Sequence, residues 1–393
     1  MTDEETAAQV PQIVAAAAGA LGRPLGDPVM LQGGSDRSVV LRCRDQARAG
    51  TVIVKTYPQT AEGISSIAAE AAGLTLAGGS GVAPELLAAD PGQFLVVMSD
   101  LGTSGSMADL LLGDSAERAS SALLSWAEAC GELSAATCGR RAEFDAWRAR
   151  YSGGRPDESY LAGLGGRILG AANRAVDLGV VDVVDIAGVG SAGLDALDAE
   201  VAEVADLTEL PDVAQPGRSA DYAVFSPGDI CPDNNIVTPA GIRFLDFESA
   251  GFHSVFLDAA YIRMPFSTCW CVFRLPAGLT AAAESAYRRQ VCAAWPQLAD
   301  DAVWQPGVRR AMAAWTLSSM WWPLSRSVEA DEPTNPDATS PGARQLIRYR
   351  WQALAGELES AGEMPALSRL MRSLLAATEN WRAPELPLYP AFR

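Results

Sequence analysis

The chain has 393 residues, 49% of them apolar, enough for a sizeable core in one large domain or in two or three smaller ones. Forty-eight acidic residues against thirty basic ones give a net charge of −18, which argues against nucleic acid or an anionic membrane surface as partner and is compatible with a cationic small molecule. Seven cysteines, an odd number spread along the chain, fit reduced thiols rather than a disulfide framework.

The first residues, Thr2 to Glu5, are acidic where a secretory peptide would be basic, and the alanines at 15–18 are too few to span a bilayer, so a cytoplasmic location is expected. A helix is expected over about 5–21. Residues 31–42 read as strand, glycine turn and strand, and 50–57 as a third strand that carries Lys55. Backbone amides at Gly33, Gly34 and Ser35 can approach phosphate oxygens closely, although a Gly-Gly pair is also an ordinary hairpin turn. Residues 64–77, rich in alanine and leucine, read as a helix bearing Glu70. A Lys55–Glu70 pair would hold the ammonium toward a nucleotide. Residues 94–102 form a buried strand running into a glycine.

Farther along, 107–112 begins a helical region with Ser106 as its N-cap, and 120–134 and 142–151 continue it. The stretch 153–216 is rich in Ala, Gly, Val and Asp. Within it, 194–207 reads as a helix, and 191–193 and 211–217 as loops. Next come two short apolar segments joined by a Pro-Ala-Gly turn at 239–241, a hairpin that carries Asp229, Asn234 and Asp246. Phosphoryl transfer needs such a set: one carboxylate to orient and deprotonate a hydroxyl, and an amide oxygen and a second carboxylate to hold Mg²⁺. Helices are expected at 282–295, 307–322, 342–361 and 366–381, with a loop at 329–341. Cys269-Trp-Cys271 has neither a partner pair nor a nearby histidine, so no zinc site is expected there. The single histidine, His253, reads as structural. The tryptophans at 315, 321, 322, 351 and 381 read as core anchors, or else as a floor for a sugar or an amine.

The order Gly228-Asp229-x-x-Pro232-x-Asn234, then Asp246-Phe247-Glu248, then Asp258-Ala-Ala260, resembles the catalytic segment of the aminoglycoside phosphotransferase and choline kinase-like family. The resemblance implies an α+β, bilobal protein kinase-like fold: a small β-rich lobe over 1–102 and a larger, mainly helical lobe over 103–393. It also implies that the backbone around Met98, Ser99 and Leu101 receives adenine, that Asp258 bonds to backbone of the catalytic loop, and that late helices build the acceptor pocket. Glu248, Trp321, Trp322, Glu329, Asp331 and Glu332 are then candidate acceptor contacts. The expectation is an ATP- and Mg²⁺-dependent phosphotransferase acting on a hydroxylated small molecule, cationic ones included, such as an aminoglycoside or amino sugar. One departure stands out, since the family usually places His two residues before the catalytic Asp and this chain has Pro227. A pseudokinase that keeps the fold and binds or regulates is the alternative.

Overall fold

The computed structural model describes residues 3–31, 38–155, 163–181, 191–208, 222–264, 266, 268–331, 333–334 and 340–393, apart from the side chains of 3–7, 191, 322 and 323. Gly33, Gly34, Ser35, Glu332, the loop at 211–217 and the Trp322 side chain lie outside this set.

Strand alternation organises the amino-terminal lobe. Five antiparallel strands run in the order β1-β2-β3-β5-β4, with β1 Leu25–Met30, β2 Val40–Asp45, β3 Thr51–Thr56, β4 Leu86–Asp90 and β5 Leu95–Ser99. Leu41, Cys43, Val52, Val54, Leu95 and Val97 form one face and pack with Ala17 of helix α1 (Asp3–Leu21). Side chains on a strand point alternately to opposite faces, so Ile53, Lys55, Val96 and Met98 point the other way. Ile53 pairs with Met98 and Lys55 with Val96.

Helix α2 (Ala61–Ala77) lies under that second face, started by Thr60, whose hydroxyl accepts from the Gly63 N–H. Its small residues let the following chain approach closely. A Cβ on Gly73 would stand 2.8 Å from the Ala250 Cβ and 3.0 Å from the Phe247 ring.

The second lobe is mainly helical, with α3 Met107–Leu111, α4 Ala116–Ala136, α5 Arg141–Ser152, α6 Leu164–Asp177, α7 Ser191–Asp206, α8 Val255–Arg263, α9 Ala277–Val291, α10 Asp301–Ser318, α11 Trp322–Glu329, α12 Ala343–Ala361 and α13 Pro365–Ala377. Trp126, Trp304 and Trp351 are fully buried in its core. Two small sheets stand at the junction of the lobes. The hairpin β7 (Asn235–Thr238) and β8 (Gly241–Phe244) closes at residues 239–240, and β6 (Ala223–Ser226) pairs with β9 (Gly251–Ser254).

Several elements differ from the sequence reading. Strand β4 and helix α6 lie in stretches where the sequence reading places no element, β4 because its alanines blur the two-residue alternation and α6 although its pattern is clearly amphipathic. In α6 the buried residues Leu164, Ile168, Ala171 and Ala175 recur at helical spacing. Residues 191–193 are the first turn of α7 rather than a loop. Asp300, whose side chain accepts from the Ala302 N–H, starts α10 earlier than expected, and the helix stops at Ser318. Among the described residues no helix is long and apolar enough to cross a membrane.

Candidate active site

Lys55 is the meeting point of the two lobes. Its Nζ lies 2.8 Å from Glu70 Oε2, 2.8 Å from Asp246 Oδ1 and 3.1 Å from Glu248 Oε2. Glu70 also accepts from the Tyr57 hydroxyl (2.8 Å) and from the Phe247 N–H (3.2 Å), so the helix-borne acid grips both the strand lysine and the 246–248 segment. Burial by itself would favour a neutral lysine, but Asp246 and Glu70, with Glu248 adding, outweigh it and hold Lys55 well above its usual pKa. Burial likewise opposes charge on Asp246, yet the adjacent ammonium keeps this acid below the usual aspartate range. The surplus negative charge is felt by Glu70, which burial, then Asp246 and Glu248, push up to about 7 against the pull of Lys55. Phe247 is fully buried, stacked at 6.3 Å on Phe225, and this fixes the segment between its two acids.

The loop 227–234 lies between β6 and β7. Asp229, Asn234 and Asp246 therefore flank the hairpin instead of lying on its strands. Gly228 has φ +90°, and a Cβ there would meet the Ser249 carbonyl oxygen at 2.1 Å, so only glycine lets the loop pass the 246–250 segment. Asp229 carries a buried oxygen, Oδ1, with no hydrogen-bond partner. Burial, reinforced by Asp246 and Asp233, raises its pKa to about 6, although contacts with Cys231 oppose the shift. Asn234 Nδ2 donates to the Asp229 carbonyl (3.2 Å), which leaves the amide oxygen as the end available to an ion. Neighbouring Asn235 is fully buried and donates to the Ile230 and Cys231 carbonyls, pinning the loop from inside.

The resemblance implied that Asp258 bonds directly to catalytic-loop backbone, and here the link runs through a side chain. Asp258 Oδ1 accepts from Ser226 Oγ (3.3 Å) and lies 2.9 Å from His253 Nε2, while the Gly228 N–H donates to Ser226 Oγ (3.3 Å). All three side chains are buried. With Pro227 unable to donate, Ser226 and His253 anchor the loop's amino-terminal side.

Beyond Met98 and Ser99 the inter-lobe crossing is locked by a residue the sequence reading missed. Asp100 accepts from Arg42 Nε (2.6 Å) and Nη2 (3.1 Å), from Thr51 Oγ1 (2.5 Å) and from the Gly102 N–H (2.8 Å). Met98 is buried on the cleft face of β5, Ser99 Oγ accepts from the Glu85 N–H (2.8 Å), and Leu101 is half-buried. Trp270 was also missed. Its indole Nε1 donates to Asp233 Oδ2 at 2.7 Å, beside Asn234.

The acceptor candidates scatter. Glu248 faces Lys55, and Trp321 packs on α6, its Nε1 donating to the Arg167 carbonyl (2.6 Å) and the Arg174 guanidinium 5.7 Å over its ring. Asp331 accepts from the Arg344 N–H at the start of α12, and Glu329 is exposed at the end of α11.

No family model and no curated protein matches the sequence. Solved structures do match in shape. A choline kinase from Cryptosporidium parvum superposes with a TM-score of 0.52 at 13% identity, covering 88% of this chain and 93% of its own. A putative aminoglycoside phosphotransferase from Ralstonia eutropha gives a TM-score of 0.49 at 14% identity over 95% and 98% of the two chains. A choline/ethanolamine kinase family protein from Mesorhizobium loti gives 0.47 at 16% identity over 96% and 100%. The chain has the bilobal protein kinase-like fold, with a small antiparallel sheet above a helical lobe.

Proposed function

We propose that the protein is an ATP-dependent phosphotransferase acting on a hydroxyl of a small molecule. The observation that carries this reading is the meeting of Lys55, Glu70 and Asp246 across 191 residues of sequence, next to an aspartate with an unpartnered, buried oxygen. The donor set suits a hard cation: Asp246 and the Asn234 amide oxygen would hold Mg²⁺, and Glu248 stands near enough to join them. When bound, MgATP would supply the phosphoryl group and the positive charge that offsets it in transfer. Lys55, braced by Glu70, would bind and orient phosphate oxygens, and backbone beyond Met98 would receive the adenine edge.

Asp229 Oδ1 would accept the proton of the acceptor hydroxyl. A pKa of about 6 makes it a stronger base than an ordinary aspartate while leaving it ionised at neutral pH. Lys55 and Glu70 are buried, while Asp246 and Glu248 are half-buried, so the ammonium is held from inside the fold and the two outer acids stay within reach of an ion. An aminoglycoside, an amino sugar or a choline-like amino alcohol are the acceptor classes in view.

The test is a panel of hydroxylated acceptors assayed for ATP-dependent phosphorylation, run beside thermal melts with and without MgATP. MgATP should raise the melting temperature by mass action, and Lys55→Ala should remove most of that gain. No shift at millimolar MgATP would overturn the reading. Pro227 favours a second one, a nucleotide-binding protein without transfer activity. A clear MgATP shift with no product from any acceptor would select it.

A further inference from the structure

Two residues of the catalytic loop, Cys231 and Asp233, belong to a second cluster that has no part in the phosphoryl transfer proposed above. Cys231 Sγ, a carboxylate oxygen of Asp233 and Cys269 Sγ all lie within 4.8 Å of one another. Cys269 Sγ is 3.7 Å from Asp233 Oδ1. Both sulfurs are buried, and the carboxylate is half-buried beside them. Two thiolates and a carboxylate around a tetrahedral Zn²⁺, with bonds of about 2.3 Å to sulfur and about 2.1 Å to oxygen, stand roughly 3.6–3.8 Å apart.

Each of the three groups also has a donor behind it. The Trp270 indole donates to Asp233 Oδ2 (2.7 Å), the Cys271 N–H donates to Cys269 Sγ (3.4 Å), and the Tyr261 hydroxyl stands 2.9 Å from Cys231 Sγ and 2.7 Å from Thr268 Oγ1. Metal ligands are held and oriented by such outer partners. Cys271 Sγ, at 3.0 Å from Cys269 Sγ, is nearer than two sulfur ligands of one ion would be, so its contribution is the backbone donor, and a water would complete the tetrahedron.

We propose that Cys231, Asp233 and Cys269 form a site for a thiophilic divalent cation, Zn²⁺, that ties the catalytic loop to the segment after α8. Two sulfur ligands select Zn²⁺ over Mg²⁺, which takes oxygen. The site is not legible in the sequence because the Cys269-Trp-Cys271 motif has no partner nearby in the chain. The fold brings Asp233 from 36 residues upstream, and Cys231 with it.

The test is titration of the reduced, full-length protein with Co²⁺ and Zn²⁺, using the metals alone. Co²⁺ should give the near-ultraviolet thiolate-to-metal charge-transfer band and the intense visible bands of tetrahedral coordination, and one equivalent of Zn²⁺ should abolish both. Trp270→Phe, which leaves every ligand in place, should weaken Zn²⁺ binding about 10- to 100-fold, and Cys269→Ser by more than that. Cys138→Ser, at an exposed cysteine away from the cluster, should change nothing. A Co²⁺ spectrum without the charge-transfer band would overturn the proposal, and it needs no variant to fold. So would Zn²⁺ affinity unchanged in Cys269→Ser, or a Cys269–Cys271 disulfide in the protein as purified.

Discussion

Asp229 sits where charge is resisted, and the resistance has a sign that can be measured. The folded chain keeps its proton up to about pH 6, whereas the unfolded chain releases it near 3.8. Between those values the folded state binds more protons, so this group's contribution to stability falls as pH rises through the window, and the full cost is present above it. Two pKa units at about 1.36 kcal/mol each put that cost on the order of 3 kcal/mol, less what water reaching the half-buried side chain relieves. Asp229→Asn removes the charge and keeps the shape. The variant should melt a few degrees above the parent at pH 8 and converge with it near pH 4, as scanning calorimetry at both values would show. If Asp229 is the base, the same change should lower turnover about 10²- to 10⁴-fold with MgATP binding intact. Wild-type turnover should rise as pH climbs through about 6, where this carboxyl ionises. A variant less stable than the parent at pH 8 would show that the carboxylate is held by partners rather than strained by burial.

At the scale of elements, α2 does two jobs, placing Glu70 and making room for the 246–250 segment. Gly73 serves the second, and two effects of Gly73→Ala oppose each other. Alanine favours a helix interior by about 1 kcal/mol over glycine. Overpacking against Ala250 and Phe247, both within 3.0 Å of the new methyl, costs about 1–3 kcal/mol, so the overlap wins. The variant should lose up to about 2 kcal/mol and, because Phe247 must move away from Glu70, bind MgATP more weakly. Gly356→Ala in α12, where nothing lies within 4 Å of the new methyl, should instead gain up to about 1 kcal/mol. Parallel urea titrations would compare them, and equal shifts for both glycines would remove the packing argument. What the sequence disclosed follows the same logic of local against distant information. The β7–β8 hairpin was legible because its turn residues and β-rich flanks are contiguous, and Lys55 and Glu70 because strand and helix patterns are local. Strand β4 was not, since its alanines carry little periodic contrast, whereas α6 holds a clear helical repeat of apolar residues that was readable and was overlooked. The Arg42–Asp100 lock spans 58 residues and the Trp270–Asp233 bond 37, so no window of sequence held both partners. Trp321 read equally well as core anchor or substrate floor, because spacing alone does not say what a ring meets.

Over the whole molecule, the surplus of eighteen negative charges sets a field that any acceptor must cross. Around Lys55 the balance runs the same way, with one ammonium facing three carboxylates. Such a field concentrates cations near the cleft and repels anions, and it acts on encounter and binding rather than on the bond-making step. Salt at 0.15 M shortens its reach to about 8 Å. For a cationic acceptor, KM should therefore rise as NaCl goes from low to physiological strength while kcat stays nearly constant. A neutral polyol should show a flat KM, and a sugar acid a falling one. Initial rates across a salt series with one acceptor of each charge would settle the matter. KM values that move together for all three would mean that salt acts on nucleotide binding, common to every assay, and that acceptor charge is not what the field selects.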